Sequence, residues 1–356
     1  MSDEVKIRES IQGLPGYKAG DRAEAVAGFT PYKLSSNENP LTPLPSVVSV
    51  IAQAAESINR YPDPLATELT ARLAEKFQVK PNSIALGTGS VGVCQQIVQA
   101  LCDAGDEVIF AWRSFEAYPI ITTIAGAVSV RVPLTSSGEH DLVAMEAAIT
   151  DRTRVIFICT PNNPTGSIVK HQDLIHFLAK VPTNVLVVID EAYIEFNRDE
   201  QAADGLGAFR AFSNVAVLRT FSKAYGLAGL RVGYLIGPEV VAEAVRKTAV
   251  PFGVSSLAQA AAVACLDHED ELLERVDNLV ALRTWFESAL VELGFQIPAS
   301  QANFIWLPLG DRAQQFAKEC VDVAVAVRIF VGEGVRISIG EREALEVLLP
   351  ICAQYV

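Results

Sequence analysis

The stretch Val185-Leu186-Val187-Val188-Ile189-Asp190-Glu191-Ala192-Tyr193 sets five apolar residues in a row and then two carboxylates. An unbroken β-branched run has no polar face, so it fits a strand covered on both sides. An acid at the end of such a strand stands at the edge where open α/β sheets collect their ligands. The pattern repeats outward in both directions. Ile84 to Leu86, Glu107 to Phe110, Val128 to Val132, Arg154 to Cys159, Val215 to Thr220 and Val232 to Ile236 also read as strands, with helical patterns such as Val91 to Leu101 and Asp173 to Ala179 between them. This alternation predicts an α/β domain whose mostly parallel, seven-stranded sheet is sandwiched by helices.

Beyond Pro251 the signal changes. Ser255 to Leu293 predicts one or two long helices, and Phe304 to Leu307 and Val335 to Ile339 read as short strands around a helix at Ala313 to Glu319. A smaller α+β domain is therefore expected, with a boundary near residue 250, as a length of 356 residues allows. Thr248 to Leu266 is uncharged, but with Pro251, Gly253 and many small residues it reads as a buried core helix and not a membrane span.

Composition excludes several functions. With 29 Lys and Arg against 42 Asp and Glu, the net charge of −13 repels a polyanion, so nucleic acid is not an expected partner. The opening MSDEVKIRES lacks the apolar core of a secretory signal. The six cysteines form no C-x-x-C pair and the four histidines fall outside every motif, so no metal site is expected. The cysteines read as reduced core thiols of a cytoplasmic protein.

Gly87-Thr88-Gly89-Ser90-Val91-Gly92 follows a strand and opens a helix. Glycines and helix N–H groups suit a phosphate. A dinucleotide site also needs an acid at the end of the next strand, and that strand ends on Ala111-Trp112-Arg113. Two readings stay open for the loop itself: a phosphate cradle using Ser90, or a tight turn. Pro161-Asn162-Asn163-Pro164-Thr165-Gly166 is likewise either a simple turn or part of a site. Thr220-Phe221-Ser222-Lys223 follows another strand, with Arg231 eight residues beyond the lysine. Small and apolar neighbours disfavour the charged form of Lys223 and suit an amine nucleophile.

Taken together, these parts match the needs of a buried aldehyde cofactor with a pyridine ring and a phosphate. A lysine forms the imine, a carboxylate keeps the ring nitrogen protonated, donors meet the ring oxygen, and a cradle holds the phosphate. All come from strand ends or the loops that follow them.

At these residues the chain resembles the fold-type I, pyridoxal-phosphate-dependent aminotransferases, in the branch containing histidinol-phosphate aminotransferase. The resemblance runs through Leu34-Ser35-Ser36-Asn37-Glu38-Asn39-Pro40, Asn59-Arg60-Tyr61-Pro62-Asp63, the Asn-Asn-Pro-Thr-Gly turn, Asp190-Glu191-Ala192-Tyr193, Ser222-Lys223 to Arg231, and Gly334-Val335-Arg336-Ile337-Ser338-Ile339-Gly340. Gly89 to Gln96, Trp112-Arg113-Ser114-Phe115-Glu116 and Ser300 to Phe304 look more like the actinobacterial aromatic (phenylalanine) aminotransferases.

The resemblance implies roles. Lys223 would hold pyridoxal 5'-phosphate and then shuttle the proton. Asp190 would pair with the pyridinium, Tyr193 and Asn163 would donate to the ring oxygen, and Phe115 would stack on the ring. Ser90, the backbone of Val91, Ser222 and Arg231 would hold the phosphate. Tyr61 would reach the cofactor of the neighbouring subunit, which implies a homodimer with shared active sites. Arg336 would bind the substrate carboxylate, while Arg328, Tyr17 and Asn37 match positions near the substrate. Residues 1–35 would form an N-terminal arm belonging to the small domain and covering the site, 36–250 the large cofactor-binding domain, and 251–356 the linker helix and small domain.

The activity so implied is transamination of a phenylalanine-like aromatic L-amino acid with a 2-oxo acid such as 2-oxoglutarate, by a ping-pong cycle through pyridoxamine phosphate. Histidinol-phosphate transamination is the alternative, because an arginine at position 328 can hold a phosphate. Decarboxylation on the same scaffold and a dinucleotide oxidoreductase are weaker rivals.

Overall fold

The seven strands expected for the large domain join one sheet in the computed structural model, which describes residues 5–356; the first four residues of the expected arm lie outside the described residues. In chain order the strands are β1 (Tyr32–Leu34), β2 (Ile84–Gly87), β3 (Glu107–Trp112), β4 (Val128–Pro133), β5 (Thr153–Cys159), β6 (Leu186–Asp190), β7 (Val215–Thr220), β8 (Gly233–Ile236), β9 (Phe304–Leu307), β10 (Val325–Phe330) and β11 (Gly334–Ser338). The large sheet runs β2-β8-β7-β6-β5-β3-β4, and β8 alone is antiparallel to its neighbours.

The continuous apolar runs resolve into two faces with the strand period of two. Val108, Phe110, Phe157, Val188 and Leu218 enter one core with the helices Gly89–Leu101 and Ala117–Ala125. Ile109, Ala111, Ile156, Ile158, Val187 and Ile189 enter the other, under the helix His171–Leu178. Each buried Val, Leu or Ile contributes about 1.5–3 kcal/mol, so neither face tolerates a register slip. Asp190 continues the parity of Leu186 and Val188, and so turns toward the side where Tyr118 packs.

A second sheet, ordered β1-β10-β11-β9, holds two strands the sequence reading lacks. β1 is only three residues and pairs in parallel with β10, Tyr32 opposite Val325 and Leu34 opposite Val327. That pairing carries Ser35, Ser36 and Asn37 toward the end of β7. Leu34, Val327, Ile337 and Phe304 share one apolar cluster with Phe221 and Tyr225, which follow β7.

The expected helix across Thr248 to Leu266 is corrected. Helix Ser256–Asp267 begins only after a loop containing Pro251, Phe252 at φ +58° and Gly253; Ser255 caps it, its hydroxyl accepting from the Ala258 N–H at 3.2 Å. Helix Glu269–Leu293 follows. Among the described residues no helix is long and apolar enough to cross a membrane, and no His, Cys, Asp and Glu cluster could hold a metal.

Candidate active site

The parallel strands β2, β5, β6 and β7 end on one edge, and the loops beyond those ends meet the second sheet around a cavity of about 240 Å³. Ser90, Val91, Phe115, Asn163, Asp190, Tyr193, Ser222, Lys223, Arg231, Arg336, Arg328, Tyr17 and Asn37 all line it. Tyr61 does not; it lies 82% exposed, stacked on Phe252 with ring centroids 4.6 Å apart.

At the floor, Asp190 is buried. Its Oδ2 accepts from the Tyr118 hydroxyl at 2.6 Å and its Oδ1 from the Ala192 N–H at 3.2 Å. Burial pushes its carboxyl up to about 6, opposed by those hydrogen bonds. Tyr118 belongs to the site, although in the sequence it reads only as an apolar partner of Phe115.

Lys223 follows β7 and donates Nζ to the Ser36 carbonyl at 3.2 Å. Burial, reinforced by Arg336 and Arg231, brings its ammonium down to about 7. A large share of it is therefore a free amine near neutral pH. The Tyr193 hydroxyl accepts from Asn37 Nδ2 at 3.0 Å, which leaves its own proton to donate. Asn37 is fixed in turn: its N–H donates to Ser338 Oγ at 2.8 Å, and that hydroxyl donates to Asn37 Oδ1 at 2.9 Å.

The glycine loop closes tightly on Arg231 and on the start of β8. Gly89 has φ +77°, and a Cβ there would stand 2.3 Å from Arg231 Nη2; a Cβ on Gly233 would stand 2.4 Å from the Ser90 nitrogen. Only glycine lets Arg231 and the start of β8 close onto the first turn of helix Gly89–Leu101. Arg231 also donates Nη1 to Ser222 Oγ at 3.2 Å. A guanidinium, two hydroxyls and a helix N-terminus thus converge, which is a donor set for a phosphate.

In the Asn-Asn-Pro-Thr-Gly turn the two asparagines divide the work. Asn162 braces the loop, donating Nδ2 to Thr165 Oγ1 at 2.9 Å and accepting from Ser114 Oγ at 2.8 Å. Asn163 faces the cavity, where its Oδ1 accepts from Arg336 Nη1 at 2.5 Å. Arg336 Nη2 donates to the Ser35 carbonyl at 2.9 Å, while its buried Nε has no partner among the described residues. Arg328 donates to the carboxylate of Glu116, a lining residue to which the sequence reading gives no role. The arm forms part of the wall: the Ala19 carbonyl accepts from Arg328 Nη1 at 3.2 Å, and the Asp21 carbonyl from Ser35 Oγ at 2.7 Å.

Residues 30–350 match the family model described as aminotransferase class I and II. The aromatic amino acid aminotransferase of Streptomyces avermitilis is 56% identical, covering 98% of this chain and 97% of that protein; its counterpart from Thermobifida fusca is 52% identical over the same shares. Among solved structures, the histidinol-phosphate aminotransferase of Sinorhizobium meliloti in complex with pyridoxal-5'-phosphate is 27% identical, with a TM-score of 0.87 over 99% of this chain and 98% of that one.

Proposed function

Because the chain belongs to the class I and II aminotransferases, we propose that it moves the amino group of an aromatic L-amino acid, phenylalanine or a relative, to a 2-oxo acid such as 2-oxoglutarate. Enzymes of this family work with pyridoxal 5'-phosphate, and the residues present fit that group. A buried carboxylate with no cationic partner among the described residues suits a pyridinium, and the Gly89 and Arg231 cradle suits a phosphate. When bound, the cofactor supplies an aldehyde that takes up the amino group and a ring that draws electrons from the substrate α-carbon.

The chain's own residues would do the rest. Lys223 Nζ would hold the cofactor at its aldehyde and, as a neutral amine, would move the proton at the substrate α-carbon. Asp190 keeps the ring nitrogen protonated. Asn163 and Tyr193 would donate to the ring oxygen, and Phe115 would pack on the ring. Ser90, the Val91 backbone, Ser222 and Arg231 anchor the phosphate. Arg336 takes the substrate carboxylate, for which its partnerless Nε and planar fork are suited.

The observation that carries the reading is the convergence of Lys223, Asp190, Arg231 and Arg336 on one cavity. The aromatic donor follows from the relatives' activity together with the engagement of Arg328 by Glu116, which weakens the case for a phosphate ester. Incubation with phenylalanine and 2-oxoglutarate tests it: phenylpyruvate and glutamate should form in equal amounts without carbon dioxide. Released carbon dioxide, or no phenylpyruvate, would refute the assignment.

The same reading makes the enzyme a homodimer in which the partner's Tyr61 completes each site. Support comes from the exposed apolar surface of Ile58, Tyr61, Leu65, Val250 and Phe252. It also divides the chain into an arm, a large domain and a small domain near residues 35 and 250. The six free cysteines suit a reducing cytoplasm.

A further inference from the structure

Arg328 and Arg336 stand directly opposite one another on β10 and β11, and both line the cavity. Like charges at a cross-strand pair destabilise each other unless a counter-charge intervenes. The two arginines are treated unequally. Arg328 donates Nη2 to Glu116 Oε2 at 2.7 Å and Nη1 to the Ala19 carbonyl, and its side chain is only 4% exposed. Arg336 meets only neutral acceptors, Asn163 and the Ser35 carbonyl, and its Nε meets none. One guanidinium of the pair is held directly by a carboxylate and the other is not. An amino acid brings one carboxylate, and Arg336 is free to receive it.

We propose that Glu116 decides the charge class of the side chain the cavity accepts: by pairing with Arg328 it closes a second anion site, favouring a neutral aromatic side chain over one that carries a second carboxylate. The proposal rests on the aromatic reading above and supplies its cause. An anionic side chain at Arg328 either shares one guanidinium with a second anion or displaces the Glu116 carboxylate from its partner. A neutral ring does neither, and Phe115 and Tyr17 line the same cavity with aromatic surface. The same constraint meets the acceptor. A dicarboxylic 2-oxo acid must also turn Glu116 aside, and Glu116 is the more exposed member of the pair, at 30%.

The test is the first half-reaction of the cofactor-loaded enzyme, followed by absorbance with phenylalanine, glutamate and aspartate as donors. In Glu116→Gln, which keeps the side-chain shape and removes its charge, kcat/KM for each dicarboxylic donor relative to phenylalanine should rise at least tenfold. The 2-oxoglutarate half-reaction should gain in the same sense. The double variant Glu116→Gln with Arg328→Gln should show no such gain, since Glu116 acts through Arg328. A relative rise below tenfold in the single variant, or a gain that survives in the double variant, overturns the role of Glu116. A wild-type enzyme that prefers histidinol phosphate to phenylalanine overturns the aromatic reading itself, a separate outcome read from the wild type alone.

Discussion

The Tyr118 hydroxyl donates to Asp190 Oδ2 at 2.6 Å, and among the described residues no cation forms an ion pair with that carboxylate. Burial raises the Asp190 carboxyl to about 6 in the cofactor-free fold, against about 3.9 when unfolded. A raised carboxyl binds its proton more tightly in the folded state, so its stabilising effect is present at low pH and is lost as pH rises from about 4 through 6. The cofactor-free Asp190→Asn variant lacks this loss. Its stability relative to wild type should therefore rise by about 2 kcal/mol between pH 4.5 and pH 7, as read by urea unfolding at the two pH values. A relative stability independent of pH would contradict the account.

Lys223 moves the opposite way. Burial lowers its ammonium to about 7, so covalent capture of pyridoxal 5'-phosphate by the cofactor-free enzyme should accelerate with pH up to about 8 and then level off, instead of climbing toward the ordinary lysine value of about 10.4. Stopped-flow absorbance across pH 6 to 10 provides the profile. Lys223→Ala should show no covalent capture at any pH.

Gly89 is fixed by space as well as by backbone. A methyl at this φ of +77° would collide with Arg231 Nη2. Gly89→Ala should weaken cofactor retention at least tenfold, about 1.4 kcal/mol, measured by equilibrium dialysis. Gly105 offers the control: its φ is +90°, but open space surrounds it. Gly105→Ala should cost stability of about 1–2 kcal/mol through backbone strain and leave cofactor affinity intact.

Tyr61 supplies a test of shared sites. Lys223→Ala lacks the amine in both sites of a dimer, and Tyr61→Ala lacks the aromatic contribution from both partners. Mixing the two weakened proteins under conditions of subunit exchange should restore activity, because one site in each mixed dimer has Lys223 and an intact Tyr61 from its partner. Activity that stays at the sum of the separate proteins would rule out the shared arrangement.

Asp190 and Lys223 are legible in the sequence because each follows an apolar run that can only be a buried strand, and strand ends on a parallel sheet share an edge. The same logic fails for contacts made across the chain. Tyr118 reads as an apolar residue because its acceptor lies 72 positions away. Glu116 reads as a branch marker and nothing more, since its partner Arg328 sits on β10. That strand is itself hidden: only Val323 and Ala324, the latter at φ +61°, separate Val325-Ala326-Val327 from the end of helix Ala313–Asp322. β1 is too short to register without its partner, yet it seats Ser35, Ser36 and Asn37 against the cavity.

The central claim is tested most directly by mixing the purified, cofactor-loaded enzyme with phenylalanine or with histidinol phosphate and following loss of the visible chromophore in a single turnover. A specificity constant for phenylalanine at least tenfold above that for histidinol phosphate, about 1.4 kcal/mol at the transition state, is the predicted result. A tenfold preference for the phosphate ester would contradict it.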